Sequence, residues 1–270
     1  RSEIDGWPAY MEYVKKFQQS DSAKVLFRKH VDFIVQRTNR YNQLRYVDDP
    51  TIMAWQIGNE PRAFSEKNKN TFLYWMSDVA AQIKLLDPNH MVSSGSEGLQ
   101  GCEKDIALFE KIHADSNIDY LNIHIWPYNW GWVKADSLKE LLLEAKNKTK
   151  AYIDKHIAVA EKYAKPIVLE EFGYPRDNFS FIKNTPTTLR DEYYRYVFDL
   201  VHKAKKHNGL LAGCNFWAWG GFANHTLGHI FWEKGDDYMG DPVQEEQGLN
   251  SVFITDSTMK IISEANEQLK

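Results

Sequence analysis

Cysteine is scarce in this chain: Cys102 and Cys214 are the only two in 270 residues. That excludes a disulfide-built scaffold and leaves the redox compartment open. Cys214 lies inside the apolar run 210–217 and reads as a buried free thiol. A basic surplus is also missing. Lys and Arg number 33 against 37 Asp and Glu, a net charge of −4, so nothing argues for nucleic acid as a partner. No uncharged run approaches the roughly 18 residues that a membrane span needs. The glycine-rich phosphate cradles, GxGxxG and the P-loop, are absent. There is no internal repeat beyond a strand–helix unit and no low-complexity linker. The first residues carry no secretory signal, and Arg1 to Pro8 read as the middle of a loop.

What is present is a chain long enough for one large domain, read here as residues 1–270. Nine Trp stand out. Six of them (Trp126, Trp130, Trp132, Trp217, Trp219, Trp232) fall at predicted strand ends or in the loops beyond, where flat aromatic faces suit the apolar face of a sugar ring. Trp55 and Trp75 read as core. Five strands are expected, at 52–57, 91–94, 118–125, 167–170 and 210–217. Helices are expected at about 21–39 (capped by Asp21-Ser22), 66–86, 104–114, 136–163, 189–207 and 256–269, with a short one near 10–17. Residues 220–247 read as one long loop. Alternating strands and helices imply a parallel sheet with right-handed crossovers. Charged and aromatic residues gather at the C-terminal strand ends only, which favours a (β/α)8 barrel over a doubly wound sheet.

Two strand ends carry the chemistry. The run Ile52-Met53-Ala54-Trp55-Gln56-Ile57-Gly58 stops at Asn59-Glu60-Pro61-Arg62. A short apolar run of this kind predicts a strand buried on both faces. The run Pro166-Ile167-Val168-Leu169 stops at Glu170-Glu171-Phe172-Gly173. Two carboxylates at one rim of a barrel are what glycoside hydrolysis needs. Glu170 and Glu171 compete for the second position, since neighbours on a strand point to opposite faces.

These residues resemble glycoside hydrolase family 5. Trp55-Gln56-Ile57-Gly58-Asn59-Glu60-Pro61 is similar to its fourth-strand signature and Leu169-Glu170-Glu171-Phe172-Gly173 to its seventh-strand nucleophile motif. His124-Ile125-Trp126 resembles the sixth-strand motif, with Trp126 where the family usually has Tyr. Asn215-Phe216-Trp217-Ala218-Trp219-Gly220 resembles the eighth strand. Asp48-Asp49-Pro50-Thr51-Ile52 and the stretch from Asp241 to Gly248 are similar to flanks in the endo-β-1,4-mannanase branch. The resemblance covers nearly the whole chain and identifies its strands with strands four to eight of the barrel. It implies that the first three strands have no counterpart here.

The resemblance also implies roles. Glu60 would be acid and then base, and Glu171 the nucleophile of a retaining mechanism, with carboxyls about 5–5.5 Å apart. Asn59 would bond the sugar 2-OH, or else serve as a turn residue. His124 would orient the acid or touch sugar, or else be a satisfied structural His. Trp217 would be the stacking platform, with Trp219 on the same strand face or packed under the rim. Trp126, Trp130 and Trp132 would line further subsites or form loop core. Arg62 and Glu97 are rim candidates. His225 and His229, with Asp236, Asp237 and Asp241, invite a metal reading, but Gly220, Gly221, Gly228, Gly235 and Gly240 in the same stretch favour a loop, and the chemistry needs neither metal nor cofactor. The leading expectation is cleavage of β-1,4-mannosidic bonds in mannan-type polysaccharide. The alternatives are a β-1,4-glucanase, an exo-β-mannosidase, or a carbohydrate-binding pseudoenzyme. A polysaccharide substrate places the protein outside the cytoplasm, secreted, periplasmic or at the cell surface. Oligomeric state is not legible.

Overall fold

The structure, a computed structural model, describes residues 6–270. The loop reading of the first five residues lies outside them. The chain divides into two compact units, residues 1–123 with 162–166, and residues 124–161 with 167–270. Each is described by itself.

The first unit opens with α1 (Gly6–Val14) and a 3-10 turn, Lys15–Gln19, where a short helix near 10–17 was expected. α2 (Asp21–Val35) follows. Its cap is Ser20, one residue before the expected pair: the Ser20 hydroxyl accepts the Ala23 N–H at 3.2 Å. That satisfies an amide which the first helical turn leaves without a partner. Val31 and Val35 are buried on α2, whereas Leu26 is 66 % exposed.

β1 (Ala54–Gln56) is shorter than the run suggests. It pairs in parallel with β2 (Met91–Ser93), Trp55 opposite Val92. α3 (Lys69–Leu86) lies between them in sequence and buries Phe72, Trp75, Met76, Val79 and Ile83 at helical spacing. The expectation of a first strand buried on both faces fails. Gln56 is exposed, and Ala54 and Trp55 are only half-buried. Among the described residues β1 has one strand neighbour, so one flank alone is covered. The Trp55 indole still finds a partner, donating to Asp87 at 2.7 Å. α4 (Ile106–His113) is capped by Asp105, which accepts the amides of Ala107 and Leu108. β3 (Leu121–Ile125) is buried throughout.

The second unit holds α5 (Leu142–Tyr163, its last two residues belonging to the first unit), β4 (Ile167–Phe172), α6 (Thr188–Lys206), β5 (Leu211–Cys214) and α7 (Thr258–Leu269). β4 pairs in parallel with β5. Two short strands were not foreseen. β6 (Trp219–Gly221) and β7 (Val252–Phe253) pair in parallel and bracket the long loop. β5 stops at Cys214, so Trp217 and Trp219 lie beyond it and do not share a strand face as expected. Cys214 is half-buried, and Cys102 is the buried thiol.

The long loop is anchored by buried polar groups. Arg190, fully buried on α6, donates to the carbonyls of Tyr174 and Ser251, both at 2.8 Å, and to that of Leu249. Asp241 accepts from the Gly248 amide at 3.0 Å and the Ser251 hydroxyl at 2.6 Å. Burial pushes the Asp241 carboxyl up, against these hydrogen bonds. Arg176 pairs with Asp256, both buried. Each guanidinium satisfies several carbonyls that an irregular segment would otherwise leave without partners.

Candidate active site

In the first unit the site is built at the C-terminal ends of β1 and β2. The Ile57 amide bonds the Ser93 carbonyl at 3.1 Å, and the Glu60 amide bonds the Gly95 carbonyl at 3.0 Å. Between them the chain turns sharply enough that Glu60 sits at φ +47°, in the left-handed region. That conformation is uncommon for a residue with a side chain. Gly95 makes the turn possible. It lies at φ +71°, and a Cβ there would stand 1.9 Å from the Gly58 carbonyl oxygen. The glycine's backbone therefore packs directly under the Asn59–Glu60 turn.

Glu60 is about a quarter exposed, and Asn59 beside it is exposed. Arg62 Nη2 lies 3.9 Å from the Glu60 carboxylate and in direct contact with that of Glu97. Glu97 is 1 % exposed. A buried carboxylate needs a cation or hydrogen bonds, and Arg62 supplies charge from one side while remaining near Glu60. The structure thus joins the two weakest sequence candidates, Arg62 and Glu97, into one pair next to the proposed acid. A cleft of about 540 Å³ begins at Asn59, Glu60 and Arg62 and extends along α1.

In the second unit Glu171 occupies β4 on the same alternation as Ile167 and Leu169, all three buried. Glu170, pointing the other way, is half-buried. The His124 ring, at the end of β3 and 2 % exposed, places Nδ1 3.2 Å from Glu171 Oε2. His124 therefore addresses the proposed nucleophile. Gly173 shows how tightly the surroundings close. A Cβ on it would meet the Trp126 ring at 2.7 Å, and Asn250 Oδ1 and the Trp217 carbonyl at 3.1 Å. Trp126 and Trp217, both half-buried, are thus brought together two residues beyond Glu171.

The remaining tryptophans divide. Trp130 and Trp132 pack on each other at 5.1 Å and on Tyr152 of α5, at 5.0 and 6.2 Å. These contacts give them a structural explanation. Trp219 is 50 % exposed. His229 sits with Nδ1 3.0 Å from both Asp236 oxygens. The Thr226 hydroxyl first, and His229 second, hold the Asp236 carboxyl down at about 2. Asp236 in turn raises the His229 ring. This stretch is a loop cross-braced by its own side chains.

The sequence reading passed over Gly95 and Asn250, and gave Gly173 no role of its own beyond closing the seventh-strand motif. The available signal was a glycine placed directly after a strand that carries chemistry.

Comparison with known proteins bears on the family and the fold. The family described as GH family 5 beta-mannosidase-like matches residues 2–270. A putative mannan endo-1,4-beta-mannosidase of Oryza sativa subsp. japonica is 29 % identical over 242 residues, covering 83 % of this chain and 45 % of the relative. The crystal structure of a glycoside hydrolase family 5 mannosidase from Rhizomucor miehei, in complex with mannosyl-fructose, superposes with a TM-score of 0.86 at 29 % identity. It covers 97 % of this chain and 62 % of that one. An endo-beta-1,4-mannanase from Thermotoga petrophila gives a TM-score of 0.69 at 25 % identity, covering 99 % and 56 %. The chain thus spans less than two thirds of the length of each. The fold class is that of the (β/α)8 barrel, as the one-sided strand ends indicated.

Proposed function

Because the chain belongs to the glycoside hydrolase family 5 β-mannosidase-like family, we propose that it is a retaining glycoside hydrolase acting on β-1,4-mannosidic bonds in mannan-type polysaccharide. The observation that carries this is the handling of Glu171. It is a buried strand-end carboxylate, kept in place by a histidine nitrogen at 3.2 Å and flanked by half-buried tryptophans.

In the proposed reaction Glu171 attacks the anomeric carbon while Glu60 gives its proton to the departing glycosidic oxygen. A glycosyl-enzyme ester forms at Glu171, and the leaving sugar departs as an alcohol. Glu60, now a carboxylate, takes a proton from water as that water attacks the same carbon, freeing Glu171. The two carboxyls work as a nucleophile and acid pair when about 5–5.5 Å apart. His124 keeps the nucleophile oriented. Asn59 bonds the sugar 2-OH, and Trp217 and Trp126 form the aromatic surround of the reacting sugar. Trp219, half exposed, belongs to an outer subsite. The size of the substrate places the protein outside the cytoplasm.

Sugar release from β-mannan, cellulose and xylan tests this, with Glu171→Gln as control. Release from mannan is expected, falling by at least roughly a thousandfold in the variant while substrate binding persists. Equal turnover by wild type and variant would remove Glu171 as nucleophile. Release from cellulose alone would indicate a glucanase, and binding without turnover a pseudoenzyme. A second reading, removal of single mannosyl units from a chain end, is supported by the higher TM-score against the protein named a mannosidase than against the one named an endo-mannanase. Products separate the two: a ladder of oligosaccharides for internal cleavage, mannose alone for cleavage at an end.

A further inference from the structure

The turn that carries Glu60 hangs on a side chain from a more distant strand. Asn122, fully buried on β3, points its Oδ1 at the end of β2 and accepts the Gly95 amide at 2.9 Å. The same oxygen takes the Ser93 hydroxyl and stands 3.1 Å from that of Ser94. One atom thus gathers three consecutive residues, and His113 Nε2 holds Ser94 from the far side at 2.8 Å. Gly95 in turn offers its carbonyl to the Glu60 amide at 3.0 Å. Two hydrogen bonds in series therefore connect the Asn122 side chain to the backbone of the proposed acid. All these residues belong to the first unit.

The orientation of the Asn122 amide is fixed by its partner. A backbone N–H can only donate, so the atom that faces Gly95 is the oxygen. The nitrogen is then turned away. Asn122 Nδ2 is buried and has no partner among the described residues. An unmet buried donor lowers stability, and an apolar side chain of the same size would carry no such donor. Filling space therefore does not account for an amide at this position. Stability given up for a fixed geometry is a mark of functional sites.

The geometry it fixes is a strained one. Glu60 sits at φ +47°, and such a conformation persists only where the surroundings over-determine it. An acid must lie within hydrogen-bond reach of the oxygen it protonates, and a misplacement of about 1 Å costs on the order of a hundredfold in rate.

We propose that Asn122 is the positioning residue of the general acid: it holds Gly95, Gly95 holds the Glu60 amide, and the carboxyl is thereby aimed at the glycosidic oxygen. This rests on the reading of Glu60 as the acid of a glycosidase and adds a residue that belongs to neither carboxylate motif.

The test compares Asn122→Leu, which has no acceptor, with Asn122→Asp, which keeps one for the Gly95 amide. The substrates are phenyl and 2,4-dinitrophenyl β-glycosides of mannose and mannobiose. Phenol departs only with a proton from the acid; dinitrophenolate departs without one. In Asn122→Leu, kcat/KM for the phenyl glycosides is expected to fall about a hundredfold, and for the dinitrophenyl glycosides by less than about threefold. Asn122→Asp should recover most of the loss. Using two substrates on one protein cancels any loss of folded material. Equal losses on both leaving groups, or no loss on either, would overturn the proposal. If Asn122→Leu does not fold, Asn122→Ser, too short to reach the Gly95 amide, carries the same expectations. Deuterium exchange at the Glu60 amide, scored against the amides of α3, is read without substrate and should be at least about tenfold faster in the variant without the acceptor. Glu60 exchange that ignores Asn122 refutes the positioning role even where mannosides are cleaved. Wild type that cleaves none of the glycosides, with Glu60 exchange still following Asn122, refutes the mannosidic reading and leaves the hold on Glu60 standing.

Discussion

His156 should make this protein acid-sensitive by an amount that can be worked from its surroundings. The ring is fully buried on α5, with Nδ1 2.7 Å from the Tyr152 carbonyl and its face 4.3 Å from the Tyr152 ring. Burial first of all disfavours the imidazolium, the hydrogen bond to Tyr152 opposes this weakly, and the pKa falls from its ordinary 6.5 to about 4. The unfolded chain recovers the ordinary value. As pH falls below 6.5 the unfolded state binds a proton that the folded state refuses. Stability is therefore complete above that pH and is lost progressively down to about 4. At pH 5 the unfolded ring is almost fully charged and the folded one almost neutral, a cost of about 2 kcal/mol relative to pH 7.5. His156→Asn keeps a donor for the Tyr152 carbonyl and removes the titration. Urea unfolding of both proteins at pH 7.5 and 5.0 isolates the group. The wild type should lose about 2 kcal/mol more than the variant between the two pH values. Equal losses would mean that His156 is not the residue held neutral.

Other expectations follow from the same packing. Gly95→Ala forces a Cβ onto the Gly58 carbonyl at 1.9 Å. It should destabilise the protein by at least roughly 2 kcal/mol and displace Glu60, lowering turnover more than substrate affinity; an active variant with an unchanged melting temperature would refute the role given to that contact. Cys102 is 1 % exposed and burial pushes its thiol up to about 12. It should resist thiol reagents at pH 8 until the protein is unfolded, and rapid labelling of Cys102 in the native protein, read by mass, would contradict this.

The structure brings out why some of the site was readable and some was not. Strand alternation left Glu170 and Glu171 competing and the family resemblance favoured Glu171, while in the structure Glu171 is buried and Glu170 half-buried. Trp126 and Trp217 were legible as strand-end aromatics, and they do meet at Gly173. Trp130 and Trp132 looked the same in sequence, yet they are spent on Tyr152. Nothing local distinguishes a tryptophan that faces a ligand from one that covers a helix. The contact between Arg62 and Glu97 joins two separate strand ends and has no local signature. β6 and β7 escaped notice because strands of two or three residues are too short for a period to register.

The sequence by itself determined the alternation of the main strands and helices, apart from β6 and β7, and the two strand ends at which glutamates stand. These are local properties: apolar period, turn residues, and a carboxylate directly after an apolar run. Only the tertiary structure decided which histidine nitrogen reaches Glu171 and which cation lies beside Glu60. The same holds for the buried arginines that secure the loop after β6. The histidine and the loop arginines pair segments distant along the chain, and Arg62, two residues from Glu60, is held by Glu97 from another strand end. Burial makes such a partner obligatory, but only packing decides which residue fills the place.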